Sequence, residues 1–283
     1  MSLLVFGQTG QVARELQRLA PEARFLSRAE ADLSNPAACG EAIRACDATA
    51  VINAAAYTAV DKAEQDEALA TVINGAAPTA MARACAEKGV PFLHISTDYV
   101  FDGSGTAPWR PEEPVAPLNA YGRSKLAGEE GVRAAGGTHA ILRTSWVVSA
   151  HGTNFIRTML RLSETRDALS IVDDQIGGPT PAADIAATLL KMAAAMGGGQ
   201  AGGTYHYGGV PAVSWKDFAC EIFAQAGRAV AVSGIPSSDY PVPARRPLNS
   251  RLDCTGIQRD FNIDPPDWKA GLARILKELD AVT

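Results

Sequence analysis

Ser2-Leu3-Leu4-Val5-Phe6-Gly7-Gln8-Thr9-Gly10-Gln11-Val12-Ala13 is the stretch on which the fold turns. Its apolar run stops at a glycine turn, after which Val12, Leu16 and Leu19 recur at helical spacing. That pattern reads as strand, glycine turn, helix. Glycines at such a junction let the backbone approach a dinucleotide pyrophosphate, whose charge is met by the helix N-terminus. The spacing is G-x-x-G-x-x-A, with Ala13 where a third glycine is common, and alanine still allows close helix–strand packing. Gly7, Gln8, Thr9, Gly10, Gln11 and Val12 are therefore candidate cofactor-binding residues, and a glycine turn without a ligand is the competing explanation.

Downstream, a strand at about 23–26 ends in Ser27-Arg28, where many NAD enzymes carry an acid for the adenosine ribose. Serine and arginine suit a 2′-phosphate instead, which favours NADPH with NADH as a possible substitute; an exposed loop arginine is the alternative. Asn35 and Pro36 supply a cap and a first-turn proline for the next helix, and Asp32-Leu33 just before it could line the adenine side. The strand 50–53 runs into Ala54-Ala55-Ala56, small residues over which a cofactor could pass or which simply pack. Residues 61–88 are helical in pattern, broken near Asn74-Gly75 and Pro78, and 90–96 reads as a buried strand.

This alternation predicts an α/β fold, a Rossmann-type doubly wound parallel sheet with ligand at the C-terminal strand ends. A smaller, discontinuous C-terminal substrate lobe completes it. The expected division gives residues 1–146 and about 171–203 to the dinucleotide domain, and about 147–170 with 204–283 to the substrate lobe.

Ser96-Thr97-Asp98-Tyr99 falls at a strand end, and Tyr121-Gly122-Arg123-Ser124-Lys125 follows on a helix that Asn119 can cap. Four residues apart on a helix, Tyr121 and Lys125 share a face. A free phenol titrates near ~10, and a nearby lysine cation is expected to lower that value and make Tyr121 a usable general acid. A hydroxyl at Thr97 could hold a substrate carbonyl beside it, although capping is its bland alternative. Trp146, at the end of another strand, could cover a sugar ring or belong to the core. Arg246 lies in the concentrated basic stretch 243–251 with Asn249, where guanidinium groups could pair with a diphosphate or be merely solvated.

Composition narrows the class. A chain of 283 residues with 47% hydrophobic and 20% charged residues is ordinary for a globular protein and long enough for a large domain plus a lobe. Net charge of −5 and no lysine-rich face argue against nucleic acid as partner. No run of ~20 apolar residues suggests a membrane span, and the N-terminal run lacks a signal's basic flank, so a cytoplasmic enzyme is expected. Five scattered cysteines without a C-x-x-C pair and four isolated histidines predict neither a disulfide framework nor a metal site.

Taken together, these strings resemble the extended short-chain dehydrogenase/reductases over nearly the whole chain. The resemblance rests on Gly7 to Gln11, Asn53 to Asp61, Ser96 to Gly103, Pro117 to Lys125, Arg143 to Trp146, Asp174 to Thr180 and Arg246 to Ser250. The Ser-Thr-Asp-Tyr-Val-Phe and Asp-Gln-x-Gly-x-Pro-Thr strings point to the branch acting on 4-keto-deoxysugar nucleotides. The resemblance implies NAD(P)H-dependent reduction of the C4 ketone of dTDP-4-dehydro-L-rhamnose to dTDP-L-rhamnose, with Thr97, Tyr121 and Lys125 as catalytic trio. It also implies Thr58, Val60, Asp98, Tyr99 and Trp146 as substrate contacts, and a homodimer as a possible assembly. An epimerase on the same scaffold and a non-catalytic regulatory subunit are the rival expectations.

Overall fold

Strand β1 (Leu3–Phe6) is buried along its whole length, as a continuous apolar run must be when both sheet faces are covered by helices. The computed structural model that shows this describes residues 2–280. After β1 come α1 (Gln11–Leu19), β2 (Arg24–Leu26), α2 (Pro36–Arg44) and β3 (Ala50–Asn53). Then follow α3 (Ala77–Lys88), β4 (Phe92–Thr97), α4 (Ala120–Ala134) and β5 (His139–Thr144). The second half carries α5 (Phe155–Ser163), β6 (Ala168–Val172), α6 (Ala182–Gly197), β7 (Gly203–His206), α7 (Trp215–Gln225), β8 (Ala231–Ile235) and α8 (Trp268–Glu278).

Six parallel strands in the order β7-β5-β4-β3-β1-β2 form the main sheet. The chain winds outward from β1 to β2, then returns to β3 on the other side and continues to β4 and β5. That reversal between β1 and β3 is the switch point, where loops diverge and leave a crevice above the strand ends. One face packs Leu16 of α1 and Ile185, Leu189 and Met192 of α6 against Val5, Ile52 and Leu93. The other packs Ile43 of α2 and Met81 and Cys85 of α3 against Leu4, Val51 and Phe92. Strand alternation thus sends Phe92, His94 and Ser96 to one face of β4, with Leu93 and Ile95 on the opposite one.

A second hydrophobic cluster joins Ile156 and Met159 of α5, Phe218 and Ile222 of α7, and Trp268 and Leu272 of α8. Beside it, β6 pairs in parallel with β8.

Three sequence expectations are changed by packing. Gly203–His206 was expected at the border of a loop and the smaller lobe, yet it adds the edge strand β7 to the main sheet; four residues opening on glycine carry too little alternation to read. The helix Thr255–Phe261 lies in the stretch expected in that lobe, and it buries Ile257 and Phe261 against the main-sheet core. The interruption near Asn74 is a π-helical turn, Val72–Ala76, that feeds directly into α3. Pro78 falls in the first turn of α3, directly after the π-helical turn, so its missing N–H interrupts the ladder where the helix already changes its hydrogen-bond register.

Candidate active site

Gly7 follows β1 at φ +110°, where a Cβ would just touch the Ala54 backbone and the Ala55 side chain. Only glycine takes that turn without strain. Gly10 stands at the N-cap of α1 with no side-chain cap, so the first-turn N–H groups are left for solvent or a ligand. Thr9 and Gly10 are exposed, Gln8 and Gln11 half-buried, and Val12 buried in the core. Gln8 and Gln11 are held by backbone carbonyls, Gln8 Nε2 donating to Phe25 and Gln11 Nε2 to Val147. Arg28 is exposed, its Nε 3.1 Å from the Asp32 carboxylate, and Leu33 is buried beneath the α2 face. Ala54 and Ala55 line the switch-point crevice half-buried, and Ala56 is exposed.

The following segment is fixed from behind by Asn74. Its Oδ1 accepts from Tyr57 N (2.8 Å), and its Nδ2 donates to Tyr57 O (3.0 Å) and Ser124 Oγ (2.9 Å). This ties the loop carrying Thr58 and Val60 to α4. Thr58 is exposed and Val60 half-buried.

Helix α4 starts where Asn119 accepts from Gly122 N at 2.8 Å and donates from Nδ2 to Arg245 O at 2.8 Å. A side chain at Gly122 would collide with the Tyr99 carbonyl, so this glycine lets α4 lie directly on the turn after β4. The Tyr121 and Tyr99 rings then meet edge to face, 5.7 Å apart at 79°. Thr97 Oγ1 caps that turn by accepting from Tyr99 N (3.2 Å), and it donates to Asp98 Oδ1 (3.1 Å). Asp98 is buried, and its Oδ2 has no hydrogen-bond partner. Burial pushes its carboxyl up to about 7, against the opposing hydroxyls of Ser250 and Thr97.

Lys125 is also buried, 2% exposed. Its Nζ donates to Ile95 O at 2.6 Å and lies 3.3 Å from His94 Nε2. Burial brings it down to about 8, with Glu129 acting in the opposite direction. Burial and then the Asp98 charge push the Tyr121 phenol up to about 12, partly offset by the Thr97 hydroxyl. Against expectation, Lys125 is not among the groups that act on the phenol: its Nζ points down to Ile95 and His94, and desolvation governs Tyr121.

The remaining expected residues divide. Trp146 sits at a strained φ of 48° and stacks on Trp215 at 3.6 Å and 13°, a half-buried aromatic pair against the cluster of α5, α7 and α8. Arg246 does not stand free for a diphosphate: it makes a bidentate pair with Asp61 at 3.1 and 2.8 Å. Asn249 is buried and fully engaged, donating to Ser104 and Ala107 carbonyls and accepting from Arg251. It holds the loop beneath Trp109 and does not face the site.

Sequence reading missed Asn53, Asn74, His94 and Glu129, whose partners lie 17 to 50 residues away in the chain for the first three. It also missed that Glu15, His151 and Glu278 bring ligand-type atoms within 4.8 Å of one another, far from Tyr121 in sequence and joined only by the fold.

A doubly wound parallel sheet, a glycine turn at the switch point and a Tyr-x-x-x-Lys helix beside Thr97 define a Rossmann-type short-chain dehydrogenase/reductase. A family model described as the RmlD substrate binding domain matches residues 1–281. The chain is 44% identical over 296 positions to the dTDP-4-dehydrorhamnose reductase of Burkholderia thailandensis, covering 99% of both chains. It is 40% identical over 299 positions to that of Salmonella typhimurium, covering 100% of this chain and 99% of the other. Among solved structures, a dTDP-4-dehydrorhamnose reductase from Bacillus anthracis in complex with NADP superposes with TM-score 0.92 at 33% identity, covering 98% of this chain and 100% of that one. The chain belongs to the dTDP-4-dehydrorhamnose reductase family of oxidoreductases.

Proposed function

We propose that the protein reduces the C4 ketone of dTDP-4-dehydro-L-rhamnose to dTDP-L-rhamnose with a nicotinamide cofactor, Tyr121 giving the proton. The observation that carries this reading is the meeting of Tyr121 with the Thr97 hydroxyl at the end of β4, with Lys125 one turn further along the same helix. Family membership names the substrate class, and the NADP of the Bacillus anthracis structure supports the cofactor.

The residues present fit such a cofactor. Gly7, Ala54 and Ala55 leave a shallow cradle, and the uncapped first turn of α1 offers N–H groups to a pyrophosphate. Arg28, with Asp32 and Leu33 on the adenosine side, would meet a 2′-phosphate, which favours NADPH over NADH. When bound, the nicotinamide supplies the hydride. Thr97 orients the ketone oxygen, and Tyr121 passes its phenolic proton to the oxyanion as that charge forms. A phenol held up to about 12 is fully protonated near neutral pH, so Tyr121 is loaded for the reducing direction. Lys125 would hold the nicotinamide ribose, and Trp146, Asp98, Tyr99, Thr58 and Val60 would surround the sugar nucleotide. In this reading the main sheet is the cofactor domain, and the cluster around α5, α7 and α8 backs the substrate lobe.

The test mixes purified protein with dTDP-4-dehydro-6-deoxy-L-mannose and NADPH or NADH, following the reduced-nicotinamide absorbance. Loss of the band in step with product establishes a net reductase. An unchanged band, in protein shown to be folded, sinks the reading and favours an epimerase that regenerates its cofactor.

A further inference from the structure

One buried chain of polar groups runs beneath Lys125. Asn53 and His94 are register partners on β3 and β4, both on the sheet face that α4 covers, and they are 0% and 1% exposed. Asn53 Oδ1 accepts from the backbone N–H of Ala55 at 3.1 Å, a group that can only donate. That fixes the amide, and its Nδ2 therefore faces His94 Nδ1 at 3.2 Å. An amide NH2 donates and does not accept, so Nδ1 must present its lone pair. The proton of the neutral imidazole is then on Nε2, which lies 3.3 Å from Lys125 Nζ. For this contact to be a hydrogen bond, Nζ must offer a lone pair while donating to Ile95 O at 2.6 Å. The His94–Lys125 contact pairs a donor with an acceptor when Lys125 is a neutral amine, and two donors face one another there when it is an ammonium.

We propose that His94 is a positioning residue that governs the charge of Lys125, holding it as an amine in the free enzyme in alkaline solution and releasing it as an ammonium when the ring changes tautomer. The proton balance is simple. His94 passes its Nε2 proton to Nζ while Nδ1 takes one from solvent, so the net change is one proton gained and the bond to Asn53 lost. The inference rests on the reading of Lys125 as the residue that holds the nicotinamide ribose. Ribose hydroxyls supply acceptors for the ammonium, so cofactor binding favours the charged form and takes up a proton in alkaline solution.

The other charged or titratable groups that bear on Lys125 belong to two elements. On its own helix, Glu129 lies one turn later and Tyr121 one turn earlier, and Arg143 of β5 is paired to Glu129. Glu129 favours the ammonium and burial opposes it. The imidazole itself stays neutral, since burial, joined by the Lys125 charge once that residue is an ammonium, holds its value well below the ordinary range.

The tautomer of His94 can be read by ¹⁵N NMR on the ligand-free, unmodified protein, alongside the ¹³Cε titration of Lys125. The expected result is an Nε2–H ring at about pH 9 that switches to Nδ1–H on acidification, with the same midpoint as Lys125, about 8. In His94→Gln the amide oxygen can serve the ammonium. Its Lys125 midpoint should rise by about one pH unit or more, and the alkaline loss of NADPH affinity should move with it. An Nδ1–H ring at about pH 9, or a Lys125 midpoint unmoved in His94→Gln, overturns the proposal. The tautomer needs no variant to fold, and neither spectrum depends on turnover, so failure of the reductase reading would leave this result separately legible.

Discussion

Asp98 and Glu129 are both buried carboxyl groups near α4, and the fold treats them in opposite ways. Glu129 receives Arg143 through two short contacts of 2.8 and 2.7 Å, Ser96 Oγ at 2.6 Å and Arg133 at 3.2 Å. Those partners outweigh desolvation and hold its carboxyl below the usual range. Asp98 receives the Thr97 hydroxyl, keeps one oxygen unpartnered, and is pushed up to about 7. Equal burial thus gives one charge that is complete within the protein and one that is unfinished. The completed pair joins α4 to β4 and β5 and so fixes the helix that presents Tyr121. The unfinished group lies close enough to Tyr121 for its charge to act on the phenol, and buried groups left open in this manner concentrate at functional sites.

The comparison breaks most sharply at Tyr121, which shares a helix with Glu129 and feels the charge of Asp98. Tyr121→Phe removes the proposed acid and should lower kcat by about 10³- to 10⁴-fold with NADPH affinity little changed; steady-state kinetics and cofactor titration check both halves. Near-normal turnover would remove Tyr121 from the mechanism.

Glu129→Gln tests the completed side. It strands the Arg143 guanidinium, 3% exposed, without its counter-charge, and should cost about 3–5 kcal/mol of stability, read from urea denaturation. A loss below about 1 kcal/mol would mean that the pair behaves like an exposed one.

The unfinished side shows itself in pH dependence. Asp98 titrates higher when folded than when unfolded, so the native state binds the extra proton between the two values. Stability from this group is full below the ordinary carboxyl range and is lost as pH rises through about 7. From pH 5 to 8 the loss should be on the order of 2–3 kcal/mol. In Asp98→Asn that part of the slope should vanish, and parallel denaturation curves for variant and parent across this range would contradict it.

The smallest effect is expected at the exposed Arg28. Arg28→Ala should reduce the preference for NADPH over NADH by about tenfold, or about 1.4 kcal/mol, with stability unaffected because its contact with Asp32 is a surface ion pair. An unchanged cofactor ratio would return Arg28 to the status of a loop residue.

Much of this was legible in the chain because it depends on neighbours in sequence. Asn35 and Asn119 cap the helices they precede, since a capping side chain reaches only the N–H two or three residues on. The buried strands 3–6 and 50–53 and the glycine turn after Phe6 follow from local periodicity in the same way. By contrast, Arg246 looked free for an anion and is spent on Asp61, 185 residues away, and Asn249 is spent on a loop more than 140 residues away. No spacing rule announces a partner at that distance.

The sequence by itself determined the alternation of strands and helices, the switch-point glycine turn, and the placing of Tyr121 and Lys125 on one helical face, because periods of 2 and 3.6 residues are local properties of the backbone. Only the tertiary structure decided the charge states. Whether Tyr121 rises or falls, whether Lys125 meets a phenol or an imidazole, and whether a buried carboxyl is completed or left open all depend on desolvation and on partners delivered from distant strands. Those quantities come into existence only when the sheet closes over them.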